Sequence, residues 1–250
     1  MRKVLALDFD GVVADSIDEC LVSAHNAFTK YLDAYDPRGN LSRFPETQIK
    51  AFRSLRPLIR RGEDYVFILQ AMSEGVQPET QSDFDHFLDQ YNDRRDAYRD
   101  VFYGERVVLQ EHNPEEWLDL NPIYPGMSDF LKGVFSAGSC FIVTTKDLTS
   151  VQMIFANQGI ESKSSDLFQA TRSYRKPDII NDVIRDRRLD PQKVAFVDDH
   201  VATVLEVSAN TNVQSLCAEW GYNTSEQRKL VKDEGLGVLK LDQFYNQFGE

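Results

Sequence analysis

Short apolar runs that stop abruptly at polar residues are the clearest pattern in this chain. The first run, Val4-Leu5-Ala6-Leu7, is followed at once by Asp8. From residue 121 onward, similar runs alternate with helical patterns, which is typical of βαβ units and a parallel sheet. Further strands are predicted over residues 140–144, 168–170, 194–197, 213–217 and 238–239, with helices over 127–137, 148–158, 177–188, 201–209, 224–233 and 241–248. We therefore predict an α/β fold with a Rossmann-like parallel sheet as its core.

The segment between the first strand and residue 121 has a different periodicity. Apolar residues recur there every three or four positions, for example at Leu21, Ala24 and Phe28, which indicates amphipathic helices. Helices are predicted over residues 17–35, 45–55, 57–73, 82–102 and 114–118, whereas 106–109 could be extended. The sequence thus predicts a core domain formed by residues 1–16 and 121–250, with residues 17–120 inserted into it as an α-helical domain.

The composition limits the classes of partner. The net charge of −12 in 250 residues argues against nucleic acid, because binding to its phosphates depends on clustered Lys and Arg. No apolar run approaches the roughly 18 residues that span a membrane, so no membrane partner is expected. Cys20, Cys140 and Cys217 are odd in number and widely spaced, which argues against a disulfide framework or a thiolate zinc site and favours reduced thiols in the cytoplasm.

Three of the predicted strands end in side chains that carry chemistry. They are Asp8 and Asp10 after the first run, Thr144 and Thr145 after the second, and Asp198 and Asp199 after the run at 194–197. Because the carboxyl ends of parallel strands lie at one edge of a sheet, we expect these groups in one crevice. Four carboxylates there repel each other unless cations neutralise them, which predicts a divalent metal and a lysine. Oxygen ligands favour Mg²⁺, and Lys176, directly before Pro177 and a helix, is the candidate lysine.

These motifs, taken in order, resemble the haloacid dehalogenase superfamily in its phosphatase branch. The resemblance rests on DFDGVVADS, the apolar run that closes in Thr144, Lys176 before a proline, and FVDD at Asp198-Asp199, and it extends to YPGM after the insert. It implies that Asp8 is the nucleophile and that Asp10 is the general acid and base. It also implies that Thr144 and Lys176 hold the phosphoryl oxygens, and that the inserted domain is the family's helical cap.

The same resemblance assigns the metal and substrate contacts. Mg²⁺ is expected on Asp8, Asp10, Asp199 and Asp198, with Asp199 the preferred ligand of the acidic pair and Asp198 its support. Gly11 and Thr145 are expected to contact the substrate, and Gly11 also lets the backbone turn sharply. Two departures matter: Thr203 stands where the family often has a further acid, and dehalogenases lack the second aspartate of the opening pair. The presence of Asp10 therefore favours phosphate chemistry over carbon–halogen cleavage.

A cluster of arginines in the insert has two interpretations. Arg53, Arg56, Arg60 and Arg61 crowd around Pro57, either as a solvated face or as a recognition site for an anionic substrate. A planar guanidinium suits a carboxylate or second phosphate. On the second interpretation, Arg56 or Arg60 points toward the crevice and binds a small phosphorylated acid or sugar phosphate, with phosphoglycolate as the family-based expectation.

The sequence therefore predicts a magnesium-dependent phosphomonoester hydrolase that acts on a small phosphorylated metabolite through an aspartyl phosphate. Alternatives left open are a sugar-phosphate mutase with the same nucleophile, a non-enzymatic phosphoacceptor domain and a binding protein without catalysis. In receiver domains the corresponding groups follow the chain order acid pair, acceptor, threonine and lysine. In this chain the order is acceptor, threonine, lysine and acid pair, which argues against a phosphoacceptor domain. The oligomeric state stays open between monomer and homodimer.

Overall fold

The computed structural model describes residues 3–249, and the chain forms two compact units. One unit contains Met1–Asp15 and Pro122–Glu250, and the other contains Ser16–Asn121. Residues 1, 2 and 250, which the predicted core domain includes, lie outside the described residues. Among the described residues, no helix combines the length and the apolar character needed to cross a membrane.

The first unit is built on a six-stranded sheet in which every pairing is parallel. Its strands are β1 (Val4–Leu7), β2 (Cys140–Thr144), β3 (Leu167–Gln169), β4 (Val194–Asp198), β5 (Gln214–Ala218) and β6 (Gly237–Leu239), in the spatial order β3-β2-β1-β4-β5-β6. The predicted α/β fold with a Rossmann-like sheet is confirmed. Leu7 is in register with Ile142 of β2 and Val197 of β4, so the residues that follow these strands lie at one edge.

The second unit is entirely helical over its regular elements. It contains α1 (Ile17–Tyr31), α2 (Glu46–Leu55), α3 (Gly62–Ser73), α4 (Gln81–Gln90), α5 (Arg95–His112) and α6 (Pro114–Asp119), with 3₁₀ turns at Leu41–Arg43, Arg56–Leu58 and Asn92–Arg94. Helices α1, α3 and α5 pack on one another, and the ring of Tyr98 lies against the rings of Phe28, Tyr31 and Phe67. The prediction that residues 106–109 could be extended is wrong, because they form part of α5, where Arg106 and Leu109 are buried.

Two predicted helices of this unit are interrupted. The helix predicted over 57–73 breaks after Leu58, and α3 begins only at Gly62, where the Asp64 carboxylate accepts hydrogen bonds from the backbone N–H groups of Arg60 and Arg61 (3.0 Å each). The helix predicted over 82–102 is divided by the turn at Asn92–Arg94.

Six further helices belong to the α/β unit: α7 (Met127–Ser136), α8 (Leu148–Asn157), α9 (Lys176–Arg187), α10 (Val201–Asn210), α11 (Ser225–Asp233) and α12 (Leu241–Phe248). Alternate residues of the central strands, such as Phe141, Val143 and Phe196, pack with Ile180 of α9 and Val207 of α10. All residues of β2 and β4 are buried, so both faces of these strands are covered, which explains why they are nearly continuous apolar runs in the sequence.

Candidate active site

The site is built around Asp8, the first residue after β1. Its backbone N–H donates to the carbonyl of Val197 (2.9 Å), which extends the pairing of β1 with β4 by one residue. Its side chain is buried, and its Oδ1 lies 2.7 Å from Nζ of Lys176. The strand pairing therefore fixes the Asp8 backbone, and the lysine orients its carboxylate.

A tight turn follows Asp8 and depends on Gly11. The carbonyl of Phe9 accepts hydrogen bonds from the N–H groups of Val13 (2.8 Å) and Ala14 (3.0 Å). Gly11 has φ +88°, a left-handed conformation that side chains disfavour, and a Cβ at this position would overlap the Asp199 carboxylate. Glycine thus lets the turn press directly against an acidic residue of the site.

Lys176 lies in the first turn of α9 and bridges two carboxylates. Pro177 occupies the first turn beside it, and the Asp178 carboxylate accepts a hydrogen bond from the Arg175 N–H (3.0 Å) at the helix start. The lysine Nζ contacts Asp198 Oδ2 at 2.8 Å as well as Asp8. Burial alone would lower the pKa of Lys176, but the carboxylates of Asp198 and Asp8 raise it above its ordinary value. The lysine is therefore a fixed positive charge in the site.

Asp8, Asp198 and Asp199 form an acidic cluster in which one carboxylate oxygen from each lies within 4.8 Å of the others. Asp198 Oδ1 accepts a hydrogen bond from the His200 N–H (2.8 Å), and Asp199 Oδ2 accepts one from the Tyr222 N–H (2.7 Å). Burial raises the pKa of Asp8 to about 8; Lys176 opposes this rise, and the charges of Asp198 and Asp199 add to it. Three buried oxygen donors with excess negative charge fit a hard divalent cation.

The Asp10 carboxylate has a different partner from that of Asp8. Its Oδ1 accepts a hydrogen bond from Nζ of Lys146 (3.2 Å), whose side chain is only 1 % exposed. Among the described residues, the acidic cluster consists of Asp8, Asp198 and Asp199, and Asp10 is outside it. Sequence reasoning missed Lys146, although its position two residues after the polar end of β2 was a usable signal.

The two threonines after β2 differ in environment. Thr144 is buried, and its Oγ1 accepts a hydrogen bond from the Lys146 N–H (3.1 Å), whereas Thr145 is exposed. Parallel pairing brings Thr144 to the same sheet edge as Asp8 and Asp198.

Thr203 stands at the position where the family often has a further acid. Its Oγ1 lies 2.9 Å from Nδ1 of His200.

A segment after β5, residues 220–223, braces both the turn after β1 and Asp199. The Trp220 indole N–H donates to the Val12 carbonyl (3.1 Å), and the Tyr222 hydroxyl donates to Asp15 Oδ1 (2.7 Å). A Cβ on Gly221 would overlap the Asp199 side chain and the carbonyl of Gly11. This bracing role was not predicted, because the contacts join residues about 200 positions apart in the chain.

The arginines predicted to bind substrate lie in the helical unit, where they have contacts of their own. Arg60 forms a bidentate ion pair with Asp85 (2.8 and 3.1 Å), and the Arg56 guanidinium lies 5.6 Å from the centroid of the Tyr65 ring. Arg53 contacts Asp18 at 2.7 Å. A substrate contact by Arg56 or Arg60 stays a prediction.

Solved structures similar to this chain share its fold at low sequence identity. A hydrolase of the haloacid dehalogenase-like family from Streptococcus pneumoniae is 16% identical with a TM-score of 0.57, covering 97% of this chain and 95% of its own. A predicted phosphoglycolate phosphatase from Haemophilus somnus is 15% identical with a TM-score of 0.56, covering 95% and 93%. A family hydrolase from Deinococcus radiodurans, solved with bound phosphate and sodium, is 13% identical with a TM-score of 0.56, covering 96% and 91%.

A search of curated protein sequences gave no significant match. The family model of the haloacid dehalogenase-like hydrolases matches residues 2–206, a range that includes every residue from Asp8 to Asp199 discussed above. The chain therefore belongs to the haloacid dehalogenase-like hydrolase family.

Proposed function

We propose that this protein is a magnesium-dependent phosphatase that hydrolyses the phosphomonoester of a small metabolite through an aspartyl-phosphate intermediate. The observation that carries the proposal is the buried Asp8 carboxylate, paired with Lys176 and surrounded by Asp198 and Asp199 at the edge of a parallel sheet. A carboxylate in this position is suited to attack phosphorus and to divide hydrolysis into two steps.

The chain's own residues account for the steps of the reaction. Asp8 attacks the phosphorus atom, and Lys176 neutralises negative charge on the phosphoryl oxygens together with the hydroxyl of Thr144. Asp10 donates a proton to the departing alkoxide and then removes a proton from the water that hydrolyses the aspartyl phosphate. Gly11 and Thr145 contact the substrate from the turns that follow β1 and β2.

The acidic cluster supports the assignment of the metal. Asp8, Asp198 and Asp199 would hold Mg²⁺, whereas the Asp10 carboxylate, which the family resemblance offered as a further ligand, is paired with Lys146. Bound Mg²⁺ would neutralise charge on the phosphoryl oxygens and would favour the ionised form of Asp8. Within the acidic pair, Asp198 accepts hydrogen bonds at both oxygens, from Lys176 and from the His200 N–H. Asp199 is kept as the preferred ligand on the family resemblance.

The proposal extends to the helical unit and to the class of substrate. We propose that residues 17–120 act as a cap on the core domain of residues 1–16 and 121–250, and that Arg56 or Arg60 recognises an anionic group of the substrate. A small phosphorylated acid such as phosphoglycolate fits such a group, and one similar structure is a predicted phosphoglycolate phosphatase. All three cysteines lie among the described residues, are buried and form no disulfide, which supports a cytoplasmic location.

The proposal is tested by phosphate release from a panel of phosphorylated metabolites in the presence of Mg²⁺. Wild-type protein should release inorganic phosphate from at least one small phosphomonoester, chelation should stop the reaction, and Mg²⁺ should restore it. Asp8→Asn should reduce turnover by at least about 10³-fold, because the amide is a far weaker nucleophile. Formation of an isomer without phosphate release would instead identify a mutase, and normal phosphate release by Asp8→Asn would exclude the covalent route.

A further inference from the structure

The two aspartates of the opening D-x-D motif are each paired with a different buried lysine. Asp8 contacts Lys176 and belongs to the oxygen cluster with Asp198 and Asp199. Asp10 contacts Lys146 at 3.2 Å and is outside that cluster. The motif therefore separates into a metal-facing carboxylate and a carboxylate held by its own cation.

The backbone around Lys146 is fixed on both sides. Its N–H donates to Thr144 Oγ1 (3.1 Å) at the end of β2, and the next residue, Asp147, caps α8 by accepting hydrogen bonds from the N–H (2.8 Å) and the hydroxyl (2.7 Å) of Ser150. The lysine therefore extends from a short, rigid connection between a central strand and a helix. Its side chain is 1 % exposed, so the Nζ that contacts Asp10 is enclosed by protein rather than by solvent.

Burial makes the charge of Lys146 depend on its contact with Asp10. A buried ammonium is costly unless a carboxylate pairs with it, and the Lys146 side chain is 1 % exposed while that of Asp10 is 23 % exposed. Removal of the lysine takes this ion pair away from Asp10, which lies two residues after Asp8 in the chain, and lets its carboxylate turn toward a cation bound at the acidic cluster. The lysine and the metal site thus compete for one carboxylate.

We propose that Lys146 is a positioning residue that holds the Asp10 carboxylate apart from the Asp8–Asp198–Asp199 cluster and keeps it available for proton transfer. The proposal rests on the proposed phosphatase function for its consequence in turnover. The competition for Asp10 can be measured without turnover. On this proposal, removal of Lys146 impairs the reaction through Asp10.

The test that is independent of activity is a double-mutant cycle on Mg²⁺ affinity. Mg²⁺ alone is titrated calorimetrically into wild type, Lys146→Met, Asp10→Asn and the double variant. Lys146→Met should tighten Mg²⁺ binding at least fivefold, because Asp10 becomes an additional ligand, and the same change in the Asp10→Asn background should have less than a twofold effect. Equal tightening in both backgrounds would mean that only a positive charge was removed, and weaker binding would also overturn the proposal.

Kinetics provide the second readout. Lys146→Met should lower kcat at least tenfold for an alkyl phosphate and less than threefold for an activated aryl phosphate, the same leaving-group dependence as Asp10→Asn. The double variant should be no slower than Asp10→Asn alone. A merely structural role would slow both substrates equally, and that result would refute the positioning role.

Three further variants keep the test decisive. Lys146→Arg should retain Mg²⁺ affinity within twofold of wild type, and Lys163→Met, an exposed lysine of the same unit, should change neither readout. If Lys146→Met does not fold, Lys146→Gln carries the same test with a neutral polar side chain. If Lys146→Met tightens Mg²⁺ binding only when Asp10 is present, but wild type releases no phosphate from any monoester, the proposed function fails. The positioning of Asp10 by Lys146 then still stands.

Discussion

Asp8→Asn should stabilise the metal-free protein even though it abolishes turnover. In the folded chain, burial raises the pKa of Asp8 from 3.8 to about 8, and the charges of Asp198 and Asp199 add to the rise against the opposing effect of Lys176. In the unfolded chain the same carboxyl group titrates at its ordinary value. The folded state therefore holds a proton on Asp8 over a pH range in which the unfolded state has lost it.

The sign of the effect follows from proton linkage. Stability contributed by a group with a raised folded pKa is complete below the unfolded pKa and is lost as the pH rises toward the folded pKa. Between pH 3.8 and about 8, each pH unit thus lowers the free energy of unfolding by about 1.4 kcal/mol. At pH 7 the accumulated cost is on the order of 4 kcal/mol, and asparagine, neutral at every pH, does not incur it.

The assay is urea denaturation in the presence of a chelator at several pH values. The free energy of unfolding of Asp8→Asn relative to wild type should rise by about 3 kcal/mol between pH 5 and pH 7, with no further increase well above pH 8. Asp89→Asn, at an exposed position of α4, is the control and should change stability by less than about 0.5 kcal/mol without a pH trend.

Two results would refute this reasoning. A stability difference that is the same at pH 5 and pH 7 would show that Asp8 does not take up a proton on folding. A less stable Asp8→Asn variant at pH 7 would show that attraction to Lys176 outweighs burial and repulsion. Added Mg²⁺ should stabilise wild type more at pH 8 than at pH 6, because the cation binds the ionised carboxylate.

Other contacts lead to further expected outcomes. Asp10→Asn should slow an alkyl phosphate more than an activated aryl phosphate in steady-state assays, because only the poor leaving group needs a proton. Asp199→Ala should raise the Mg²⁺ concentration for half-maximal activity more than Thr203→Ala, and equal effects would contradict the assigned ligand. Arg106→Met should lower the free energy of unfolding by about 3–5 kcal/mol in denaturation experiments, because it leaves the buried Glu19, which Arg106 contacts at 2.9 and 2.8 Å, without that partner.

The sheet could be predicted from the sequence because its central strands are buried on both sides. Such strands are short apolar runs, and β1, β2 and β4 each end where a polar residue enters the edge that carries the site. Parallel pairing then places Asp8, Thr144 and Asp198 at one edge of the sheet. This part of the site therefore follows from the strands alone and requires no prediction of the loops.

The helix breaks in the inserted unit could not be predicted in the same way. The start of α3 is set by the Asp64 carboxylate, which accepts hydrogen bonds from the backbone of Arg60 and Arg61, and Gly62 next to this break is already the first residue of the helix. The break at Asn92–Arg94 likewise lies inside a run whose apolar spacing continues across it. Periodicity therefore detects a helical segment more reliably than it detects an interruption by local side-chain hydrogen bonds.

A second limit of prediction from the sequence concerns the partners of the site residues. The D-x-D motif identifies the two acidic residues but not the lysines that pair with them. Asp8 and Asp10 are two residues apart, yet their lysines come from different connections, Lys176 before α9 and Lys146 after β2. The tight approach of Gly221 to Asp199 and Gly11 also arises only when β5 and β1 belong to one sheet. A D-x-D sequence fixes where two carboxylates lie along the chain, whereas the separation of their roles depends on which cation the folded sheet edge brings to each.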